Sequence, residues 1–265
     1  MRRITPALAA VLLALGVAGI AQAQEPPISR HVLSNGLTVL VREAAGAGVV
    51  AVSLQVRAGS RFESPATSGI TNFLHRAMLR GTSKRTAVQL ATSYEDIGGS
   101  LDASGEVEAA EVRGQALARH WETLLGLIAE VALQATLPAD EVEKERRLIL
   151  AQIKARADAP FSLTLDTLLR DLYGAHPYAL QNLGRKETIE RLTRDDLSAH
   201  YQAIYHPERM VLAISGEVPR DRVLRGAERL FGRMARATTP PVDALPAPSG
   251  TGTPCSRRSA RVAIS

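Results

Sequence analysis

The chain has 265 residues, 45% of them hydrophobic and 22% charged, a balance that excludes wholesale disorder and suits one sizeable core or two small domains. Aromatic residues are scarce at 4%, so Leu, Val, Ile and Ala must fill that core. The formal charge is +5, to which Arg2 and Arg3 contribute, and no basic stripe interleaved with aromatics appears, which argues against nucleic-acid binding.

The N-terminus reads as a secretory leader over residues 1–23. Arg2 and Arg3 are followed by an apolar run at 7–20 and the small-x-small site Ala21-Gln22-Ala23. That run is short for a bilayer span, and no other stretch is a better candidate. The expectation is an exported chain, periplasmic or secreted, with no membrane span once the leader is removed; an uncleaved anchor is the alternative.

The next segments read as strands. Residues 31–34 and 37–41 flank Asn35-Gly36, which suits a two-residue hairpin turn. Over residues 49–57, Val50, Val52, Leu54 and Val56 alternate with Ala51, Ser53, Gln55 and Arg57, the period of a half-buried strand. A loop at 59–68 leads to a helix at about 69–79, and a second helix at 87–97 is closed by Gly98-Gly99. Strands are expected at 101–104 and 109–117. Trp121, Leu124, Leu125, Ile128, Val131 and Ala132 then fall at helical spacing, a buried stripe.

The second half is richer in helices. Pro138 stands just inside the start of a long helix reaching about Ala157. Pro160 follows it, and another helix covers 163–173. Thr193 to Asp196 resembles a capping box opening a helix to about Tyr205. A strand at 210–215 and a helix at 220–231 complete the pattern. The fold class expected is α+β: an antiparallel-rich sheet with helices packed over one face. Prolines and glycines punctuate residues 235–265, which read as a linker or tail. The lone cysteine, Cys255, cannot form an internal disulfide.

The chemistry sits in the stretch Gly69-Ile70-Thr71-Asn72-Phe73-Leu74-His75-Arg76-Ala77-Met78-Leu79-Arg80-Gly81-Thr82. It resembles the signature helix of the insulinase/pitrilysin family of zinc peptidases, whose core reads His-Phe-Leu-Glu-His, an inverted zincin motif. Further landmarks are similar in the same order: residues 57–63, residues 145–153, His176-Pro177-Tyr178, Gly184 and residues 205–212. The resemblance covers residues 30–234 and implies a single half-module, the first of the two that the family carries.

The departures fall on the metal site. Zinc needs two imidazoles one helical turn apart. The resemblance puts Asn72 and Arg76 at those positions and His75 at the position of the general base. The third ligand is a glutamate seven residues after another; that pair maps to Glu145, which is retained, and Gln152, a neutral amide. Seven residues is nearly two helical turns, so both face the same way. A permanent guanidinium at Arg76 repels a divalent cation, and an ion pair between Arg76 and Glu145 is the expected replacement.

The resemblance therefore implies a non-catalytic homologue with no bound cofactor. Such a chain would be the pseudo-peptidase partner of a catalytically intact homologue, helping to bind peptide or unfolded protein. Two alternatives stand beside this reading. One is an active zinc metalloendopeptidase with an atypical site built on His75 and Glu145. The other is a free-standing peptide-binding or chaperone-like domain. His31, His120, His176, His200 and His206 show no ligand spacing, and neither a Gly-x-Ser-x-Gly elbow nor a phosphate-binding glycine loop occurs.

Overall fold

Alternation along residues 49–56 has its expected outcome: Val50, Val52, Leu54 and Val56 are buried, while Ala51, Ser53 and Gln55 face the other side. In the computed structural model, which describes residues 27–237, this strand lies inside a six-stranded sheet. The strands are β1 (Ile28–Val32), β2 (Thr38–Glu43), β3 (Val49–Val56), β4 (Ser100–Gly105), β5 (Ala110–Leu117) and β6 (Met210–Gly216), in the order β1-β2-β6-β3-β5-β4. All neighbours are antiparallel except β2 and β6, which run parallel. With four of the five pairings antiparallel, the sheet is antiparallel-rich as expected, and this is its one parallel pair among the described residues. It is possible because the chain between β2 and β6 is long enough to cross over the sheet through helices.

The first hairpin also differs from expectation. β1 covers 28–32 rather than 31–34, and Val32 pairs with Thr38. Leu33 N–H donates to Leu37 O at 2.9 Å, which leaves a three-residue loop in place of the two-residue turn. Only Gly36 takes a positive φ, 98°, whereas the two-residue turn favoured by Asn-Gly needs positive φ at both positions. Asn35 is held instead by one tertiary and one local bond. Its Nδ2 donates to Phe231 O at 2.8 Å and its Oδ1 accepts from Leu37 N–H at 3.2 Å.

The helices are α1 (Ile70–Met78), α2 (Ala87–Glu95), α3 (Trp121–Gln134), α4 (Ala139–Ala157), α5 (Pro160–Tyr173), α6 (Lys186–Arg191), α7 (Arg194–Ile204) and α8 (Arg220–Phe231). The stripe from Trp121 to Ala132 is buried along α3, as its spacing predicts. The capping box at Thr193 forms: Thr193 Oγ1 accepts from Asp196 N–H at 3.1 Å, and Asp196 Oδ2 accepts from Thr193 N–H at 2.8 Å. Pro138 caps α4 rather than lying inside it, and Pro160 occupies the first turn of α5, where a missing N–H is harmless. The six-residue α6 has no apolar period of its own and was not expected; the burial of Thr188 and Ile189 holds it in place.

The helices cover one face of the sheet. α3 packs on β3 and β5, α8 on β2, and α1 on β4 and β5, while α4 lies over α1. β6 is hydrogen-bonded to β2 on one side and β3 on the other, so the last third of the described chain is stitched into the middle of the sheet. Residues 28–231 thus form one folded body. Among the described residues no helix is long and apolar enough to cross a membrane. The leader at 1–23 and most of the segment 235–265, including Cys255, lie outside the described residues.

Candidate active site

Helix α1 is almost wholly interior. Ile70, Phe73, Leu74, Ala77 and Met78 are buried in the core, and so are the polar side chains of Thr71, Asn72 and His75. Glu63, from the preceding loop, caps its start: Glu63 Oε2 accepts from Gly69 N–H at 2.7 Å and Oε1 from Thr71 N–H at 3.0 Å. A carboxylate at a helix N-terminus complements both the orphan N–H groups and the dipole. Burial raises the pKa of Glu63, and these backbone bonds partly offset the rise. Gly69 adopts φ +90°, and a Cβ there would lie 2.6 Å from Gly184 Cα, so two glycines let the start of α1 touch the loop before α6.

His75 does not face the cleft beside α1. It is completely buried, with Nδ1 2.7 Å from Thr71 O and Nε2 3.0 Å from the hydroxyl of Tyr205. A carbonyl only accepts, so Nδ1 carries the proton and the tyrosine hydroxyl donates to Nε2. Burial lowers the pKa of His75 to about 4 and raises that of Tyr205 well above 10, which keeps the pair neutral. Both ring nitrogens are therefore committed. Of the alternative metal pair, His75 is bonded to Thr71 O and Tyr205, and Glu145 to Arg76 and Arg80.

That wall is an ion cluster. The Glu145 side chain, 1% exposed, accepts at Oε1 from Arg76 Nε at 2.5 Å and at Oε2 from Arg80 Nε at 2.8 Å. A second bond joins Arg80 Nη2 to the same Oε2. Arg76 Nη1 also donates to Gln152 Oε1 at 2.5 Å. The Arg76–Glu145 ion pair is thus present, with Gln152 as a further partner of Arg76. Asn72 Oδ1 is turned to Gly105 N–H, at 3.4 Å. Asn72, Arg76, Arg80 and Glu145 line a cleft of about 410 Å³ between α1, α2, α4 and the edge strand β4; Tyr94, Leu101 and Ala103 supply its apolar wall.

Reasoning from the sequence did not single out Arg80, Tyr205 or Glu63. Arg80 lies four residues after Arg76, one helical turn on, and that spacing could have marked it. No local signal points to Tyr205, which lies 130 residues from His75 in the chain.

The donor set does not suit zinc. Two amides, a guanidinium and a carboxylate already neutralised by two arginines stand where a divalent cation needs imidazoles and a free carboxylate. Among the described residues no three His, Cys, Asp or Glu side chains gather at one point.

The buried imidazole sets a pH response. In the unfolded chain His75 binds a proton near its ordinary value of 6.5, whereas in the fold it resists down to about 4. The unfolded state then binds more protons throughout that window, so stability is full above pH 6.5 and falls as pH drops towards 4, by up to about 3 kcal/mol. His200, whose pKa burial likewise lowers to about 4, acts in the same direction. Urea unfolding at pH 7 and pH 4.5 should show this drop, and His75→Gln should reduce it, leaving the share of His200; an equal drop in the variant would rule His75 out as a source.

The chain belongs to the insulinase family, peptidase family M16, whose profile matches residues 38–186; a second profile, described as the peptidase M16 inactive domain, matches residues 191–260. The chain is 29% identical over 205 residues to the "uncharacterized zinc protease YmxG" of Bacillus subtilis, covering 77% of this chain and 50% of the relative. It is 29% identical over 209 residues to a probable mitochondrial-processing peptidase subunit beta of Schizosaccharomyces pombe, covering 79% and 46%. Among solved structures, a protease from Helicobacter pylori superimposes with TM-score 0.76 at 23% identity, covering 84% of this chain and 53% of the other. The periplasmic protease PqqL of Escherichia coli does so with TM-score 0.76 at 18% identity, covering 86% and 26%. These structural likenesses concern the fold. The chain spans about half the length of the curated relatives it matches.

Proposed function

We propose that this chain is a non-catalytic M16 homologue that works as the pseudo-peptidase partner of a metal-bearing homologue. It would help to enclose and bind peptide or unfolded protein. The reading is carried by Arg76: its guanidinium occupies the position of the second imidazole and is bonded to both Glu145 and Gln152. With a cation bonded there and His75 turned into the core, neither residue is set to act as the second metal ligand or as the general base.

Two surfaces favour the rest of the proposal. β4 is an edge strand beside the cleft, and an edge offers unpaired main-chain groups to an extended peptide. On α5, Phe161, Leu168 and Leu172 recur at helical spacing yet are 80%, 53% and 64% exposed, an apolar face suited to a partner subunit. Export is part of the same proposal, supported by the leader-like residues 1–23 and in keeping with the periplasmic E. coli neighbour. So is the division into a leader at 1–23, a folded module at 30–234 and a Pro/Gly-rich segment at 235–265.

The test is hydrolysis of an unfolded protein, such as casein, by the mature chain alone and after addition of an M16 homologue with an intact His-x-x-Glu-His helix from the same genome. The chain alone should show no activity, the pair should co-elute, and the pair should be at least severalfold more active than the homologue alone. Chelator-sensitive hydrolysis by the isolated chain would overturn the non-catalytic reading; failure to co-elute would remove the partnership.

A further inference from the structure

The cleft that no longer suits a metal retains a positive charge. Arg76 and Arg80 share one carboxylate, that of Glu145, so the cluster carries a net charge of about +1. The arrangement is lopsided towards solvent. The Glu145 side chain is 1% exposed and sits behind the arginines, whose side chains are 21% and 37% exposed.

The donors are not used up. A guanidinium has five N–H groups in a fixed fork. Arg76 uses two of its five, one to Glu145 and one to Gln152. Arg80 uses two, both to Glu145 Oε2. Among the described residues the remaining N–H groups of each have no partner. Glu145 holds both guanidiniums in place, so a ligand would meet donors that are already oriented. The other acid lining the cleft, Asp102, is exposed and paired at 3.0 Å with Arg113, which it shares with Glu111 at 3.5 Å, so its charge is offset in part.

From this geometry we infer that the cleft between α1, α2, α4 and β4 binds a carboxylate of an extended peptide, either its C-terminal carboxylate or an acidic side chain, through Arg76 and Arg80. This rests on the peptide-binding reading above and gives it a substrate class. A peptide strand laid along β4 would run past the cleft, since the cleft is lined by Leu101, Asp102, Ala103 and Ser104 of that strand. Arginine pairs with carboxylates by charge-assisted, often bidentate hydrogen bonds, so the contribution should be selective.

The experiment is calorimetric titration of the mature chain with an N-acetylated, otherwise uncharged hexapeptide in three forms: free C-terminal carboxylate, C-terminal amide, and amide with one internal Glu. A carboxylate form should bind about tenfold more tightly than the neutral amide. If only the free C-terminus gains, the site reads peptide ends; if the internal Glu gains equally, it reads acidic side chains. Arg80→Gln should bring all three peptides within about twofold of one another. Equal binding of all three to the unaltered chain would overturn the carboxylate site while leaving peptide binding intact. Binding of none would sink the peptide reading and this inference with it.

Discussion

Glu145→Ala is expected to lower the stability of the fold by about 2–4 kcal/mol, and its melting temperature by roughly 5–15 °C. The reason lies in where the charges are. Glu145 is buried on α4, and its two oxygens are the acceptors for two arginines from the end of α1 and the turn after it. Removing one partner of a fully buried ion pair typically costs about 3–5 kcal/mol, because the remaining charge is stranded. Arg76 and Arg80 are partly exposed, so water would recover some of that loss.

The arginine variants should behave differently. Arg76→Ala leaves Glu145 with Arg80, and Arg80→Ala leaves it with Arg76, so each should cost only about 1 kcal/mol. Combining Glu145→Ala with Arg76→Ala should be less damaging than the sum, since one stranded cation disappears with its partner. Denaturant unfolding of the four variants measures this cycle. A Glu145→Ala protein within about 0.5 kcal/mol of wild type would show that the cluster does not tie α1 to α4.

Much of the fold was legible because its elements obey local periods. β3, α3 and α8 are amphipathic or apolar over their whole length; the boundaries of β3 and α8 fall within a residue of expectation, and α3 carries the expected buried stripe. Capping at Thr193 is a local hydrogen-bond pattern and reads directly. The elements missed are those that non-local contacts decide. Asn35-Gly36 has the chemistry of a two-residue turn, yet the bond from Asn35 to Phe231 O, 196 residues on, selects a longer loop. The parallel pairing of β2 with β6 is likewise a matter of where a distant strand returns.

The same division runs through the site. Asn72, Arg76, Glu145 and Gln152 could be located from spacing and resemblance alone, and the contact of Arg76 with Glu145 follows from opposite charges on two facing helices. The direction of His75 could not be. A residue three positions after Asn72 on a helix is expected near the same face. In the fold, Tyr205 and Thr71 O draw its ring into the core. This changes what a restoration of the metal site must achieve.

Restoring the family's ligand and base residues by Asn72→His, Arg76→His, His75→Glu and Gln152→Glu should produce zinc binding at close to one ion per chain, where the unaltered protein is expected to bind none. Arg76→His is the decisive change, since it removes the fixed cation and supplies an imidazole one turn from position 72. Two features of the structure limit the gain. Arg80 remains bonded to Glu145 and keeps a guanidinium beside the new site. His75→Glu places a carboxylate in a fully buried position, where the Tyr205 hydroxyl that now bonds the imidazole would be its donor. The quadruple variant should therefore be less stable than wild type without metal. It should recover by about 2–3 kcal/mol in zinc at 100 times its dissociation constant, by mass action on the folded state. Adding Arg80→Met should tighten binding further. Elemental analysis after gel filtration and melting curves with and without zinc measure both effects. Stoichiometric zinc in the unaltered chain would defeat the electrostatic argument, as would a fivefold variant, Arg80→Met included, that takes up none.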